Sequence, residues 1–325
     1  MINEKTNILI LSAGTRNKII QYFKENINGN VIATDCSNLA PALYEADKYY
    51  IVKKFHENGY INQIIEICKK ENVNGILSLI DPELELISKF KDEFLKNGII
   101  PLVNDEHINS LCFDKYLFYK KLTDLNINTV NSYDDIKEFM NDLNSKIHFP
   151  VFIKPKNGSA SIDIAKVDNL QELNTLINKY NDDYLIQEYI DGIEIGIDVY
   201  IDRIDQQIKG YFAKEKIRMR AGETDKSVSY VDEELKELIY DFCYKMGFIG
   251  VIDIDVFKIN DKYLISEVNP RFGGGYPHAY EAGINFPEMI VDNLSNKPSN
   301  HNYTSYEDRL YMSKYSELKI FKVNN

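Results

Sequence analysis

Over the first hundred residues, short apolar runs alternate with segments whose apolar positions recur at helical spacing. Residues 7–11, 31–35, 49–52, 75–80 and 99–103 read as buried strands. Between them, 16–25, 60–71 and 82–96 carry the helical period, with Ile61, Ile64, Ile65 and Cys68 on one face of the second. This alternation predicts parallel βαβ units in an open α/β sheet.

Beyond Leu111 the pattern turns polar and helical, over 115–125 and then 134–143. Two strands, 151–153 and 162–167, then flank a Gly/Ser loop, and a helix over 170–180 and a strand over 184–189 follow. Residues 193–201 and 207–216 read as antiparallel strands, 233–246 as a helix, and 250–257 with 262–268 as a closing strand pair. That order is an α+β pattern. The tail after about Leu294 is polar and loosely patterned, with a small apolar patch at Lys319-Ile320-Phe321.

A length of 325 residues suits two domains or a three-lobed body, and 44% hydrophobic residues suffice for a core without staples. The net charge of −12 argues against nucleic-acid binding, which needs a basic field to displace counterions. Cys36, Cys68, Cys112 and Cys243 form no CxxC pair and read as reduced thiols. No apolar run approaches the ~20 residues of a membrane span, and the first residues lack a signal-peptide stretch. The expectation is a cytoplasmic protein with no membrane or nucleic-acid partner.

Chemistry concentrates in a few places. Gly14 is a lone glycine after the first strand, so it reads as a strand-to-helix turn rather than a dinucleotide fingerprint. Asp81-Pro82-Glu83 reads as a helix start with Asp81 as N-cap. In Ile153-Lys154-Pro155-Lys156-Asn157-Gly158-Ser159-Ala160-Ser161, a strand delivers a lysine into a small-residue loop able to approach a polyphosphate. The run 185–194 ends a buried strand at Glu188 and adds Ile190 and Glu194, which could serve an adenine and a ribose, or form a solvated turn at Asp191-Gly192.

The sharpest signal is a pair of strands with acids two apart. Asp253 and Asp255 share one strand face, as do Glu267 and Asn269 on the next strand. Asp255, Glu267 and Asn269 can therefore converge as oxygen ligands suited to Mg²⁺. Arg271 and Gly273-Gly274-Gly275 follow directly; the glycines bare their amides and permit positive φ, and the arginine can grip phosphate or carboxylate. Lys214 and Arg218, in a stretch of alternating basic residues, could face an anionic substrate or the triphosphate, or lie on a solvated edge strand.

Together these pieces resemble the ATP-grasp superfamily, in particular the carbamoyl-phosphate-synthase-like stand-alone proteins. The resemblance rests most on Asp255 with Glu267-Val268-Asn269-Pro270-Arg271, and on the glycine-rich run 273–283. It implies an N-terminal pre-ATP-grasp α/β domain at 1–111 and a two-lobed ATP-grasp fold. The first lobe, with its linking helices, would span 112–190, the second 191–300, and a tail 301–325. It further implies ATP as nucleotide and Mg²⁺ as metal, with Mn²⁺ as an alternative ion. Lys115 and Lys154 would contact phosphates, and Ser159 and Ser161 would lie in a mobile loop over them. Glu188 and Ile190 would hold adenine, Glu194 the ribose, and Asp255, Glu267 and Asn269 the metal. Arg271 would steady an acyl-phosphate, with Lys154 assisting catalysis. The implied activity is ligation of a small-molecule carboxylate to an amine or ammonia through an acyl-phosphate. Phosphorylation of bicarbonate or carbamate, and a non-catalytic ATP-binding regulatory module, are the alternatives; a homodimer is the assembly to test.

Overall fold

The computed structural model describes residues 5–158, 164–180 and 183–322. Five strands, β1 (Ile8–Leu11), β2 (Val31–Asp35), β3 (Lys48–Ile51), β4 (Gly75–Ser78) and β5 (Ile100–Pro101), form a parallel sheet in the order β3-β2-β1-β4-β5. Helices α1 (Asn17–Asn26), α2 (Tyr60–Glu71), α3 (Asp81–Lys89) and α4 (Lys91–Lys96) connect them. The unbroken apolar run of β1 is explained by burial on both faces. Ile8 and Ile10 enter one core cluster with α1, while Leu9 and Leu11 enter another with α2 and α3. The expected helix over 82–96 divides at Phe90, whose ψ of 13° leaves the helical range. The expected strand over 99–103 pairs only at two residues.

Helices α5 (Glu106–Phe113) and α6 (Lys115–Asp124) lead to a four-stranded sheet. It comprises β6 (Ser132–Tyr133), β7 (Val151–Lys154), β8 (Ala165–Val167) and β9 (Leu185–Glu188) in the order β6-β9-β7-β8, with α7 (Ile136–Asp142) and α8 (Leu170–Tyr180) beside it. Asp114 caps α6 by accepting from the amides of Tyr116 and Leu117 at 3.0 and 2.9 Å. Lys115 is thereby the first residue of the helix, and its own amide donates to Lys156 O at 3.1 Å, tying the helix start to the end of β7.

The third sheet has six strands. These are β10 (Ile193–Ile201), β11 (Ile208–Arg220), β12 (Glu223–Ser229), β13 (Gly250–Ile259), β14 (Lys262–Asn269) and β15 (Tyr311–Ser313), ordered β14-β13-β10-β11-β12-β15. Helix α9 (Glu233–Met246) covers one face, where Ile252, Ile254 and Val256 pack with Leu235, Ile239 and Phe242. The 193–201 and 207–216 runs do pair antiparallel, but β11 continues to Arg220 and turns at Ala221-Gly222, both at positive φ, into a β12 that the sequence pattern had not indicated. Helices α10 (Tyr276–Glu281) and α11 (Phe286–Leu294) follow the glycine run and pack on α1 of the first sheet. The polar tail is also structured: β15 pairs with β12, and beyond it Phe321 stacks on Tyr44 at 3.7 Å. All four cysteines are free, Cys36 exposed and the others buried.

Candidate active site

On the face of the six-stranded sheet turned away from α9, register places Asp255 opposite Glu267 and Asp253 opposite Asn269. The side chains that alternate with them are the buried Ile252, Ile254 and Val256, so both acids of β13 share the other face. Asp255 is also directly across from Gly196 on β10. A β-carbon at Gly196 would stand 2.9 Å from Lys216 Cε, so the glycine lets the lysine stem cross β10 from β11. Lys216 Nζ then donates to Asp255 Oδ1 at 2.6 Å and Glu194 Oε1 at 2.9 Å. Burial opposes the charge on Lys216, but Asp255, Glu194 and Asp253 outweigh it and hold its pKa well above the ordinary value. Lys214 follows a parallel course to Asp198 Oδ2 at 2.5 Å, both groups fully buried. Asp253, half-buried beside Asp255 and Asp198, has its carboxyl pushed up to about 7, chiefly by desolvation.

Lys154, at the end of β7, is buried and donates to Gln187 Oε1 at 2.8 Å; Gln187 is held by Ser132 Oγ at 3.0 Å. Burial lowers its pKa, Lys115 lowers it further, and Glu267, Asp255 and Glu194 oppose the shift, so these five groups share one electrostatic neighbourhood. Lys115 Nζ donates to Gly158 O, beside the loop. A small cleft is lined by Asp81, Asn109, Gly158, Glu267 and Asn269. The Glu267 carboxylate makes no hydrogen bond or ion pair within the described residues. Two carboxylates and an amide oxygen form an all-oxygen donor set of the kind Mg²⁺ accepts while keeping some of its waters. Among the described residues no group of three or more His, Cys, Asp or Glu side chains is placed to hold a metal ion.

Two expectations need correction. Asp81 is not an N-cap: Ile80 holds that place without a side-chain bond, and Asp81 is buried with Oδ2 2.7 Å from Arg271 Nη2. Nor do the three glycines adopt positive φ. They are required because β-carbons would strike Asp253 Oδ1 at 2.4 Å from Gly273, Glu223 Cγ at 2.9 Å from Gly274, and Lys214 Cε at 2.5 Å from Gly275. Arg271 also donates to Asn269 Oδ1 at 3.2 Å and Phe272 O at 3.1 Å, which ties the arginine to the third member of the donor set. Burial opposes its charge, but Asp81 foremost keeps its pKa raised.

Of the remaining sequence candidates, Glu188 is bound to Asn131 through both its amide, at 2.9 Å, and its carboxylate, at 2.8 Å. Ile190 is buried just beyond β9, and Glu194 is engaged by Lys216. Arg218 lies on the exposed end of β11, 3.8 Å from Asp225. Ser159 and Ser161 lie outside the described residues. Sequence reasoning missed Lys216, Asp81, Arg16 and Glu223. Lys216 was legible in principle, two residues from Lys214 on the same strand face; the other three meet their partners only through tertiary contacts.

Two antiparallel sheets stand beside a parallel α/β domain, and Lys154 and Lys115 share an electrostatic neighbourhood with Asp255 and Glu267: the arrangement of an ATP-grasp protein. The chain belongs to that family. The family model described as an ATP-grasp domain matches residues 112–275, and that of a PylC-like N-terminal domain matches residues 8–102. Among relatives, the chain is 27% identical over 261 residues to a D-alanine–D-alanine ligase of Prochlorococcus marinus (strain MIT 9301), covering 72% of this chain and 67% of the relative. It is 30% identical over 183 residues to the alpha-aminoadipate–LysW ligase LysX of Saccharolobus solfataricus, covering 52% and 65%. Against the D-alanine–D-alanine ligase of Legionella pneumophila (strain Lens) it spans 54% of that protein's length.

Solved structures repeat the fold. The Staphylococcus aureus N5-carboxyaminoimidazole synthetase complexed with ADP aligns with a TM-score of 0.73 at 16% identity, over 91% of this chain and 79% of that one. The biotin carboxylase domain of the Hydrogenobacter thermophilus 2-oxoglutarate carboxylase, complexed with MgADP and bicarbonate, gives 0.75 at 15%, over 95% and 74%. An L-amino acid ligase from Bacillus licheniformis gives 0.69 at 16%, over 91% and 76%. No helix among the described residues is long and apolar enough to cross a membrane.

Proposed function

We propose that the chain is an ATP-dependent carboxylate–amine ligase working through an acyl-phosphate. The observation that carries the reading is the pairing of Asp255 with Glu267 on β13 and β14, in one electrostatic neighbourhood with Lys154 and Lys115. A carboxylate oxygen attacks the γ-phosphorus of ATP and ADP leaves. An amine nitrogen then attacks the acyl carbon, phosphate leaves with the bonding pair, and the amine loses a proton. No side chain has to act as nucleophile; positioning and charge neutralisation suffice.

In this reading Lys154 and Lys115 bind phosphate oxygens, and the buried setting of Lys154 strengthens that contact. The backbones of Glu188 and Ile190 border the adenine and Glu194 the ribose. Ser159 and Ser161 belong to the covering loop. Asp255, Glu267 and Asn269 would hold Mg²⁺, or Mn²⁺, which supplies charge neutralisation on the transferring phosphoryl group. Arg271, fixed by Asp81, presents its guanidinium to the acyl-phosphate. Lys214 is assigned to holding Asp198 in place, and Arg218 to the cleft's outer rim.

Purified protein should release ADP only when MgATP is joined by a suitable carboxylate. Glu267→Gln should cut that release by about 100-fold or more while the circular dichroism spectrum is unchanged. Undiminished turnover would remove the metal assignment. Lys154→Ala should weaken ATP binding by about 10–100-fold, as expected for loss of a charge-assisted hydrogen bond. Calorimetry returning wild-type affinity would defeat the phosphate role of that lysine.

A further inference from the structure

Arg16 stands in the turn between β1 and α1, on the first domain, yet its partner lies on the large sheet: Nε is 3.1 Å from Glu223 Oε1. Within the described residues its two terminal nitrogens make no hydrogen bond or ion pair. The other oxygen of Glu223 is taken by Lys314 Nζ at 2.9 Å, which also donates to Gly274 O at 2.7 Å. Gly274 is what admits Glu223 so close to the glycine run. Glu223 is therefore neutralised from both sides, and the trio Arg16, Glu223 and Lys314 carries a surplus of one positive charge. Arg271 is close enough to repel Arg16 electrostatically, and its buried Nε has no partner. Asp81, which balances Arg271, leaves its own Oδ1 unpartnered.

A guanidinium pinned by Nε, with its Nη1 and Nη2 edge open, matches the two oxygens of a carboxylate in plane. Arg271 is balanced by Asp81, and Asp253 also acts on Arg16, so the surplus is at most one charge and suits a singly charged group rather than a phosphate dianion. We propose that Arg16, braced by Glu223 and Lys314, forms a subsite for a carboxylate that the reaction does not consume. The protein then takes a substrate bearing such a group: the α-carboxylate of an amino acid serving as the amine, or the second carboxylate of a dicarboxylic acid. The inference rests on the ligase reading for its substrate, but the subsite itself is a binding claim that can be tested alone.

Two measurements on the full chain decide it. Glycine and succinate, titrated as probes, should raise the melting temperature of wild-type protein and lose that effect in Arg16→Gln, with Arg16→Lys intermediate. Retention of the effect in Arg16→Gln overturns the subsite. ADP release is then compared for matched pairs, amino acids against their carboxamides as the amine, and dicarboxylic acids against their monocarboxylic counterparts as the acid. Wild type should prefer the member with the unconsumed carboxylate by about 100-fold in kcat/KM. Arg16→Gln should bring the two members within a few-fold, through KM with kcat kept. The arm in which discrimination appears identifies which substrate carries the group. No preference in wild type, or a preference unmoved by Arg16→Gln, overturns the proposal. If no pair releases ADP, the ligase reading fails, and the melting shifts alone uphold or overturn the subsite.

Discussion

A β-carbon at Gly273 would stand 2.4 Å from Asp253 Oδ1 and 2.5 Å from its Cγ, so the whole carboxylate would have to shift. Gly273→Ala should therefore destabilise the fold by about 1–3 kcal/mol, the usual cost of overpacking, read as a lower urea midpoint with unchanged slope. A midpoint equal to wild type would mean the site has slack that these distances deny. His278 offers a test of the same region by pH. It is buried, with Nδ1 2.8 Å from Ser227 Oγ, and desolvation with Lys214 nearby pulls its pKa down to about 4. An unfolded chain binds that proton near 6.5. Stability is thus fully present above pH 6.5 and falls as pH drops from 6.5 to 4, by about 3 kcal/mol. His278→Gln should flatten that part of the pH–stability curve, and an equally steep curve would assign the loss elsewhere. At this scale, the sequence exposed Asp255, Glu267 and Asn269 because spacing of two on a strand is a local fact. Asp81 stayed hidden because Asp-Pro-Glu at a helix start satisfies the capping rules by itself, and its true partner, Arg271, lies 190 residues away.

The strands of the six-stranded sheet act together through side chains that cross from one to the next. Glu194 and Gly196 on β10, Lys214 and Lys216 on β11, Asp253 and Asp255 on β13, and Glu267 and Asn269 on β14 share a single face. Lys216, with only 7% of its side chain exposed, joins β11 to β10 and β13 at once. Replacing it with Met leaves Asp255 and Glu194 without their cation. Because those two partners are about a quarter to a third exposed, the loss belongs at the low end for a broken buried pair, about 3 kcal/mol. Added Mg²⁺ should restore part of it if Asp255 is a metal ligand, whereas magnesium-independent melting of Lys216→Met would count against that ligand. The same scale explains what pattern reading could and could not find. The strand pair 250–257 and 262–268 alternates cleanly because its other face is packed under α9. β12, Glu-Thr-Asp-Lys-Ser-Val-Ser, has one strong apolar residue and was invisible; its place follows from the hairpin at Ala221-Gly222 and from β15 closing its free edge.

The distribution of cores decides which parts of the whole molecule move together. One apolar cluster runs without a break from β1, β2 and α1 of the first sheet through Tyr200 and Phe212 to Phe272, Tyr276, Phe286 and Met289. The first domain is thus fused to the lobe carrying Asp255, Glu267 and Asn269, and Asn104 strengthens the seam by exchanging two hydrogen bonds, each 2.9 Å, with the backbone of Ile249. The four-stranded lobe carrying Lys154 has a separate core built from its own residues, including Phe139, Val151, Ile153 and Ile186. None of this was legible as a pattern, since amphipathic faces say that a helix is covered but not by which domain. Phe286→Ala and Phe139→Ala remove fully buried rings of equal size, each at about 3–5 kcal/mol. Their reach should differ. By hydrogen exchange, Phe286→Ala should loosen α11, α10 and the α1 side of the first sheet as one unit, because all three close the same core. Phe139→Ala should raise exchange within 132–188 and leave β1, β13 and β14 near wild type. Equal loosening of the first sheet by both substitutions would mean that the Lys154 lobe does not unfold as a separate unit.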